Sequence, residues 1–238
     1  DIIYNINKRE GRKMGKLIII EGTDGSGKQT QTELIYNKLT LLLGIEKIKK
    51  LSFPNYESKS SEPVKMYLSG EFGKNVEDVN AYAASILYSV DRFASFKTEW
   101  ENFYNGGGVI ISDRYTTSNM IHQASKIRDD SEREKYLKWL IDLEWNKIAI
   151  PKPDLVLFLD VPFEVSQRLI EERKNKITGD NKKDIHENNT EYLKNSYNIA
   201  KNLSEKYNWN VISCVENDKL KSIEDINNEI MNEIKKIL

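Results

Sequence analysis

A glycine-rich loop that follows a short apolar run carries the clearest chemistry in this sequence. Gly22, Gly27 and Lys28 fit the pattern G-x-x-x-x-G-K, and the run Leu17-Ile18-Ile19-Ile20 precedes them. Glycine permits dihedral angles and close approaches that a Cβ would prevent, so the backbone N–H groups of such a loop can point at an anion. A lysine at its end adds positive charge near the β- and γ-phosphates of a nucleoside triphosphate. The residues expected to hold that triphosphate are Gly22, Asp24, Gly25, Ser26, Gly27, Lys28, Gln29 and Thr30.

The position after the lysine departs from the usual form of this loop. A Ser or Thr hydroxyl there commonly coordinates Mg²⁺, whereas this chain has Gln29. Thr30 is turned by about 100° around the following helix, so it cannot simply take over the role. Hard cations favour oxygen ligands, often through water. Asp24 in the loop and Asp113 after a later apolar run are therefore the candidate magnesium ligands.

Aromatic and basic residues in three further segments are candidates for an acceptor site. Phe53-Pro54-Asn55-Tyr56 follows the second apolar run, Tyr88 and Arg92 lie on a long helical segment, and Asp113-Arg114-Tyr115 follows the third run. Each has a structural alternative, since aromatic residues and ion pairs are common in cores and on surfaces. These residues fall in order around one predicted crevice, which favours an acceptor site over these alternatives.

The structural alternatives are specific. Tyr88 and Phe53 could be core aromatics, Arg92 could pair with Asp91 on a helix surface, and Asp113-Arg114 could be a buried ion pair.

The apolar pattern predicts the elements that position these residues. Short apolar runs are typical of strands buried in a parallel sheet, and they occur at 17–20, 47–53, 109–112, 155–160 and 210–213. Helices are expected at 28–43, 79–104, 131–147, 163–176, 185–207 and 223–238. Strands that alternate with helices predict an α/β fold of the P-loop NTPase type: a doubly wound five-stranded parallel sheet with helices on both faces and a small lid. Ligands should bind beyond the carboxyl ends of its strands.

Length, charge and cysteine content limit the other possibilities. The 238 residues, 39% of them hydrophobic, fit one domain at 14–238 after a polar extension at 1–13, unless the isoleucines of that extension pack on the core. A net charge of -1 provides no basic field for nucleic acid or an anionic membrane. No apolar stretch approaches the roughly 20 residues of a membrane span. The single cysteine, Cys214, fits a reducing compartment, so we expect a cytoplasmic protein that binds neither nucleic acid nor membrane.

In the order and spacing of its motifs, the chain from about 16 to 207 resembles the thymidylate kinase family, which phosphorylates dTMP to dTDP with ATP. The matching segments are the glycine-rich loop, Phe-Pro-x-Tyr at 53–56, Asp-Arg at 91–92, Asp-Arg-Tyr at 113–115 with Ser118-Asn119, Lys-Pro-Asp at 152–154 and an arginine-bearing lid. The resemblance implies ATP and dTMP as substrates, Mg²⁺ with the ATP, a role in dTTP biosynthesis, and a homodimer formed through helices beside the acceptor site.

The resemblance also implies which residues bind dTMP. Tyr88 stacks on thymine, Arg92 donates to a base carbonyl and Asn119 adds base contacts, while Arg114 holds the monophosphate and Asp24 reads the sugar 3′-hydroxyl. A guanidinium donates to a carbonyl but not to the amino group that cytosine presents. The full set is Asp24, Phe53, Pro54, Tyr88, Arg92, Arg114, Ser118, Asn119 and His122. His122 departs from the tyrosine or glutamine of many relatives where the chain approaches the sugar 2′ carbon.

A lid at about 173–189 is expected to complete the catalytic site. Some family members place an arginine inside the glycine-rich loop and others place it in the lid, and Gly25 puts this chain in the second group. Arg173 is then the leading lid arginine, and Glu187 resembles the acidic residue that assists magnesium in some relatives. The expected catalytic residues are Lys28, Arg114, Arg173 and Asp113, and the expected metal ligands are Asp24, Asp113 and Glu187.

The sequence leaves two other functions open. The first is a kinase for another nucleoside monophosphate or for a deoxynucleoside, which would differ in the base pocket. The second is a P-loop regulatory switch or GTPase. The segment Asn146-Lys147-Ile148-Ala149 lacks the aspartate of the guanine-reading Asn-Lys-x-Asp motif, and a switch has no use for an acceptor pocket.

Overall fold

The five strands expected from the apolar runs are present and all run parallel in a computed structural model of the chain. They are β1 (Lys16–Gly22), β2 (Ile48–Ser52), β3 (Val109–Asp113), β4 (Leu155–Asp160) and β5 (Asn210–Ser213), in the sheet order β2-β3-β1-β4-β5. The structure describes residues 14–176, 189–217 and 219–238, with the backbone alone at 170–176. The expected α/β fold with a five-stranded parallel sheet is confirmed.

Helices connect the strands, and some of them were not predicted. The helices are α1 (Lys28–Leu43), α2 (Glu62–Leu68), α3 (Ala81–Ser95), α4 (Glu101–Asn105), α5 (Thr116–His122), α6 (Asp130–Ile141), α7 (Phe163–Lys176), α8 (Thr190–Lys206) and α9 (Ile223–Lys235). Wider π-helical turns at Phe96–Trp100 and Asp142–Lys147 extend α3 into α4 and lengthen α6. The sequence pattern predicted neither α2 nor α5, nor the antiparallel pair β6 (Val215–Glu216) and β7 (Lys219–Leu220).

Alternation along the strands separates two apolar cores. Leu17 and Ile19 of β1 face the layer that contains α3, α6 and α8, whereas Ile18 and Ile20 face α1 and α9. Crossovers between parallel strands are right-handed, so connections that run in opposite directions along the sheet lie on opposite faces. The chain runs one way from β1 to β2 and the other way from β3 to β4. The helices therefore cover both faces of the sheet.

The carboxyl ends of three neighbouring strands meet at one edge. Ile20 in β1 and Ser52 in β2 both align with Asp113 at the end of β3. The loops that follow these strands consequently leave the sheet side by side, which is the position that an open α/β sheet offers to ligands.

Asp154 ties the opposite edge of the sheet together. Its carboxylate accepts from Lys16 Nζ at 2.8 Å and from the Leu17 backbone N–H at 2.9 Å. Its own N–H donates to the Leu17 carbonyl at 2.8 Å. The Lys-Pro-Asp segment thus holds the start of β1 against the approach to β4.

Two expectations concern residues that the structure does not describe. These are the extension at 1–13 and residues 177–188 of the lid, which include Glu187. Across the described ranges, no helix is both long enough and apolar enough to cross a membrane.

Candidate active site

The glycine-rich loop lies between β1 and α1, and its shape depends on glycine. Gly25 and Gly27 have φ angles of 80° and 83°, which side chains with a Cβ rarely adopt. At Gly22 a Cβ would come within 2.5 Å of Ser26 Oγ. The backbone then enters α1 at Lys28, so the positive end of a helix faces the loop.

Lys28 lies inside the loop rather than in solvent. Its side chain is buried, and Nζ donates to the Thr23 carbonyl at 2.9 Å and lies 4.0 Å from Asp24 Oδ1. Burial and the charge of Arg114 lower the pKa of Lys28 to about 8, against the opposing effect of Asp24. Two buried hydroxyls of the loop, Thr23 Oγ1 and Ser26 Oγ, have no hydrogen-bond partner within the described part of the chain. Such groups are usually satisfied in proteins, so the loop has donors available for a ligand.

A cavity of about 240 Å³ adjoins the loop. All nine residues expected at the acceptor site line it, namely Asp24, Phe53, Pro54, Tyr88, Arg92, Arg114, Ser118, Asn119 and His122. Among the described residues, Tyr56, Leu68, Tyr115 and Gln123 also line it. The structure therefore brings the loop, the end of β2, α3 and α5 around one space.

Arg114 connects the cavity to the loop. It has a left-handed backbone with φ of 68°, and a non-glycine residue in that region stores strain that is common at functional sites. Nη2 donates to Asp24 Oδ1, while Nη1 donates to Ser118 Oγ at 3.3 Å and lies 3.0 Å from His122 Nε2. Burial alone would lower the pKa of Arg114, but Asp24 and Glu21 raise it above its usual value. Its ion pair is with Asp24, so the alternative of an Asp113–Arg114 pair is wrong.

Glu21 is a buried carboxylate that the sequence reasoning missed. It ends the apolar run of β1, has no exposed surface, and accepts from Thr117 Oγ1 at 2.6 Å and from Ser118 Oγ at 2.9 Å. Burial raises its pKa, although Arg114 opposes that shift. The carboxylate thereby joins the strand before the loop to the helix beside the cavity.

Arg92 lines the cavity while bound to a second buried carboxylate. Its Nε donates to Glu144 Oε2 at 2.9 Å and its Nη2 donates to Glu144 Oε1. Asp91 instead accepts from the Asn55 N–H at 2.8 Å and from Ser60 Oγ at 2.7 Å. The alternative in which Arg92 and Asp91 pair on a helix surface is therefore wrong.

The aromatic residues form the cavity wall. Phe53 precedes a cis peptide bond to Pro54, is buried, and packs against Tyr115 with ring centroids 5.9 Å apart. Tyr88 makes an edge contact with Tyr67 at 6.3 Å. Phe53 belongs to the apolar core and also lines the cavity, so it has the core position and the site position at once. Tyr88 lines the same cavity.

The end of β3 has one carboxylate oxygen that suits a hard cation. Asp113 Oδ1 is buried and lacks a hydrogen-bond partner among the described residues. Mg²⁺ commonly binds one or two carboxylates together with water and substrate phosphates, so an orphaned carboxylate beside a phosphate loop fits it. Asp24, the other described candidate, is paired with Arg114. The described residues contain no cluster of three or more potential protein ligands.

The remaining expected residues are less informative. Gln29 and Thr30 are exposed in the first turn of α1. Arg173 lies in α7, where the structure describes its backbone only, and Glu187 lies outside the described residues.

Comparisons with known proteins point to one family. The sequence model of thymidylate kinase matches residues 20–230. The thymidylate kinase of Schizosaccharomyces pombe is 29% identical over 223 residues, covering 91% of this chain and 90% of that protein. The thymidylate kinase of Plasmodium falciparum is 27% identical over 228 residues, covering 96% and 93%. The solved structure of the Candida albicans thymidylate kinase superimposes with a TM-score of 0.67 at 22% identity, covering 94% of this chain and 92% of that one.

Proposed function

The chain belongs to the thymidylate kinase family and transfers a phosphoryl group from ATP to dTMP, and we propose that the cavity beside Arg114 holds the dTMP. One observation carries the proposal: the nine residues expected to contact dTMP, drawn from four separate segments, line this single cavity next to the glycine-rich loop. The dTDP that forms is an intermediate of deoxynucleotide biosynthesis.

The charges favour one orientation of dTMP. Arg114 donates a hydrogen bond to Asp24 of the glycine-rich loop, so its charge lies at the loop end of the cavity. The monophosphate binds at this end in a charge-assisted contact. The base then reaches Tyr88, Arg92 and Asn119, which line the same cavity. A tyrosine ring offers its face to a planar base, and a guanidinium donates to a base carbonyl.

The sugar lies between these two ends. In this arrangement Asp24 accepts from the 3′-hydroxyl, and His122 is the residue nearest to the 2′ carbon. Support comes from the position of both side chains on the cavity wall and from the contact between His122 Nε2 and Arg114 Nη1 at 3.0 Å. His122 therefore links recognition of the sugar to the phosphate-binding arginine.

Phosphoryl transfer depends mainly on alignment and on neutralising the charge of the transferred group. Lys28 and Arg114 supply positive charge from the donor side and the acceptor side respectively. Asp113, with Asp24 through water, would hold Mg²⁺, which supplies further charge neutralisation on the ATP phosphates when it is bound.

Arg173 completes the cationic set in the lid-arginine type of enzyme that we propose. Because Gly25 leaves the loop without an arginine, another cation must reach the transferred phosphoryl group. We expect Arg173→Ala to lower kcat by about two orders of magnitude or more with little change in KM for dTMP, since the contact is made in the transition state. Steady-state kinetics with dTMP varied at saturating ATP will measure this. A change in KM alone would assign the role to another cation.

A nucleotide panel tests the proposed function. ADP formation from ATP is measured with dTMP, dUMP, dCMP and dGMP separately, together with Arg114→Ala. The proposal expects dTMP to have the highest kcat/KM and the variant to lose most of it through KM for dTMP. A higher kcat/KM for another monophosphate would support the alternative kinase, and nucleotide binding without transfer to any acceptor would support a switch.

We also propose that the enzyme is a homodimer formed through α3. This helix exposes Tyr82, Ile86, Val90 and Phe93 on one stripe, while its buried face carries residues such as Ala84 and Arg92. Apolar stripes of this kind are typical of protein contacts, and a stripe that meets a second copy of itself gives a closed two-fold contact.

A further inference from the structure

Glu144 is a fully buried carboxylate in the π-helical turn after α6. A buried carboxylate is costly unless it is paired and hydrogen-bonded. Besides its two contacts with Arg92, it accepts from Ser89 Oγ at 2.6 Å and from Thr116 Oγ1. Its donors come from α3 and from the start of α5. One carboxylate thus joins three helical segments behind the cavity wall.

The contact with Arg92 is side-on. Nε and Nη2 of the guanidinium donate to the two carboxylate oxygens, and neither contact uses Nη1. A guanidinium is a rigid planar fork, so two parallel hydrogen bonds fix its plane and its direction. The Nη1 edge is therefore the part of the fork that the carboxylate does not occupy. Arg92 also lines the cavity, so this edge is the one available to a bound base.

Without Glu144 this arginine would have freedom to turn. Burial by itself lowers the pKa of Arg92, and Glu144 reverses that shift. A guanidinium that can rotate, or that can bind water, can turn away from a base that presents a hydrogen-bond donor. A guanidinium held by a carboxylate cannot turn away, so its N–H then faces the donor of the wrong base without an acceptor. Unpaired polar groups in a buried site are the main source of strong discrimination between similar substrates.

The contact with Thr116 extends the effect toward the phosphate end. Thr116 begins α5 and lies two positions after Arg114, which the proposed function assigns to the monophosphate. Glu144 therefore holds the base-side arginine of α3 and the segment that carries the phosphate-side arginine in one fixed arrangement.

Resting on the proposed function, we propose that Glu144 is a positioning residue for nucleotide selection: it holds Arg92 with its Nη1 edge toward the base, which favours the carbonyl of thymine over the amino group of cytosine. Glu144 touches no substrate itself and acts through Arg92.

The test is the ratio of kcat/KM for dTMP to that for dCMP in Glu144→Gln. A glutamine of the same size has one acceptor oxygen where glutamate has two, and its amide NH2 can only donate, so it cannot give Nε and Nη2 an acceptor oxygen each. We expect the ratio to fall by at least tenfold, mainly through a higher KM for dTMP, while KM for ATP stays within about twofold. In an Arg92→Met background, adding Glu144→Gln should change the ratio no further, because the group through which it acts is gone.

Two further variants separate positioning from general destabilisation. Asn227→Ala removes a buried hydrogen bond to Gln31 between α9 and α1, on the other face of the sheet, and it should lower stability but keep the wild-type ratio. If Glu144→Gln does not fold, Glu144→Asp keeps the charge but withdraws it by one methylene, and the same fall in the ratio is expected.

A ratio within about twofold of wild type in the folded Glu144 variant would overturn the inference. That result leaves the proposed function intact if the wild-type enzyme still prefers dTMP. A wild-type enzyme that does not prefer dTMP would instead remove the proposed function on which the inference rests.

Discussion

At the residue scale, the site contains several charged side chains that are buried or half-buried. Lys28, Glu21 and Glu144 are buried and Arg114 is half-buried. Lys28 contacts Thr23 and Asp24 within its own loop, whereas the other three are paired with groups from other segments. Electrostatic interactions are stronger in such surroundings than in water. Small changes in protonation should therefore have large effects on nucleotide binding.

Lys28 gives the most direct pH prediction. Its pKa is lowered to about 8, so the Lys28 side chain of the free enzyme is protonated and positively charged below that pH and neutral above it. We expect kcat/KM for ATP to fall above about pH 8, approaching tenfold per pH unit, because this parameter reports groups of the free enzyme. Bound phosphates favour the protonated lysine, so the fall in kcat should occur at higher pH.

The measurement is a pH profile at constant ionic strength and excess Mg²⁺. Lys28→Arg is the control, since arginine stays protonated throughout and should remove the alkaline fall even if it lowers the rate. A wild-type profile that stays flat to about pH 9.5 would show that Lys28 keeps its proton or is not needed for ATP binding.

Sequence reasoning found the cavity residues but not the carboxylates that hold them. Glu21 ends an apolar run and Glu144 occurs in an ordinary amphipathic segment, so neither type nor spacing marks them as buried. Their partners Thr117 and Arg92 are distant in sequence, and only the fold brings them together. Arg92 was accordingly assigned one contact, to the base, when the structure gives it a second, to Glu144.

At the element scale, the strands were easier to predict than the short helices. The bounds of β4, β5 and α7 agree with the sequence pattern because apolar runs and a regular helical period define them. Helices α2 and α5 contain seven residues each, which is too few for a recognisable period. Both helices contribute residues to the cavity wall. The π-helical turns were missed because they shift the helical period without ending the helix.

Asp154 provides a prediction at this scale. Asp154→Ala removes the acceptor for Lys16 and for the Leu17 N–H at the edge of the sheet opposite the cavity. We expect the free energy of unfolding to fall by about 2 kcal/mol, because hydrogen bonds to a charged group are lost and a backbone donor is left unpaired. KM for dTMP should stay within about twofold.

Urea unfolding monitored by circular dichroism measures the change. Glu132→Ala, which breaks an exposed ion pair with Lys135, is the matched control and should leave the urea midpoint unchanged. The structural role assigned to Asp154 would be wrong if both variants unfolded at the wild-type urea concentration.

At the scale of the whole molecule, ligand binding and structural support lie at opposite ends of the strands. One edge gathers the loop, the cavity and the carboxylates that position them, and the opposite edge ties β1 to the approach to β4. Helix α3 has a role on both of its sides, since its buried face carries Arg92 and its exposed stripe includes Ile86. A dimer through α3 would therefore support the base-side wall from behind.

The dimer is tested by Ile86→Asp. A charge on each copy at the centre of the α3 stripe would be buried against its counterpart, so we expect the variant to be a monomer at micromolar concentration where the wild type is a dimer. Sedimentation equilibrium measures the mass. Leu41→Asp is the control, because Leu41 is 88% exposed in α1 and should leave the dimer intact. A wild-type monomer, or a dimer that survives Ile86→Asp, would exclude this interface.

We propose above all that the cavity beside Arg114 holds dTMP with its phosphate at the loop and its base at α3. A crystal structure of the chain with dTMP bound tests it most directly. We expect the monophosphate on Arg114, the thymine ring on Tyr88 and a thymine carbonyl within hydrogen-bond distance of Arg92 Nη1. A nucleotide bound in the reverse orientation, or outside this cavity, would contradict it.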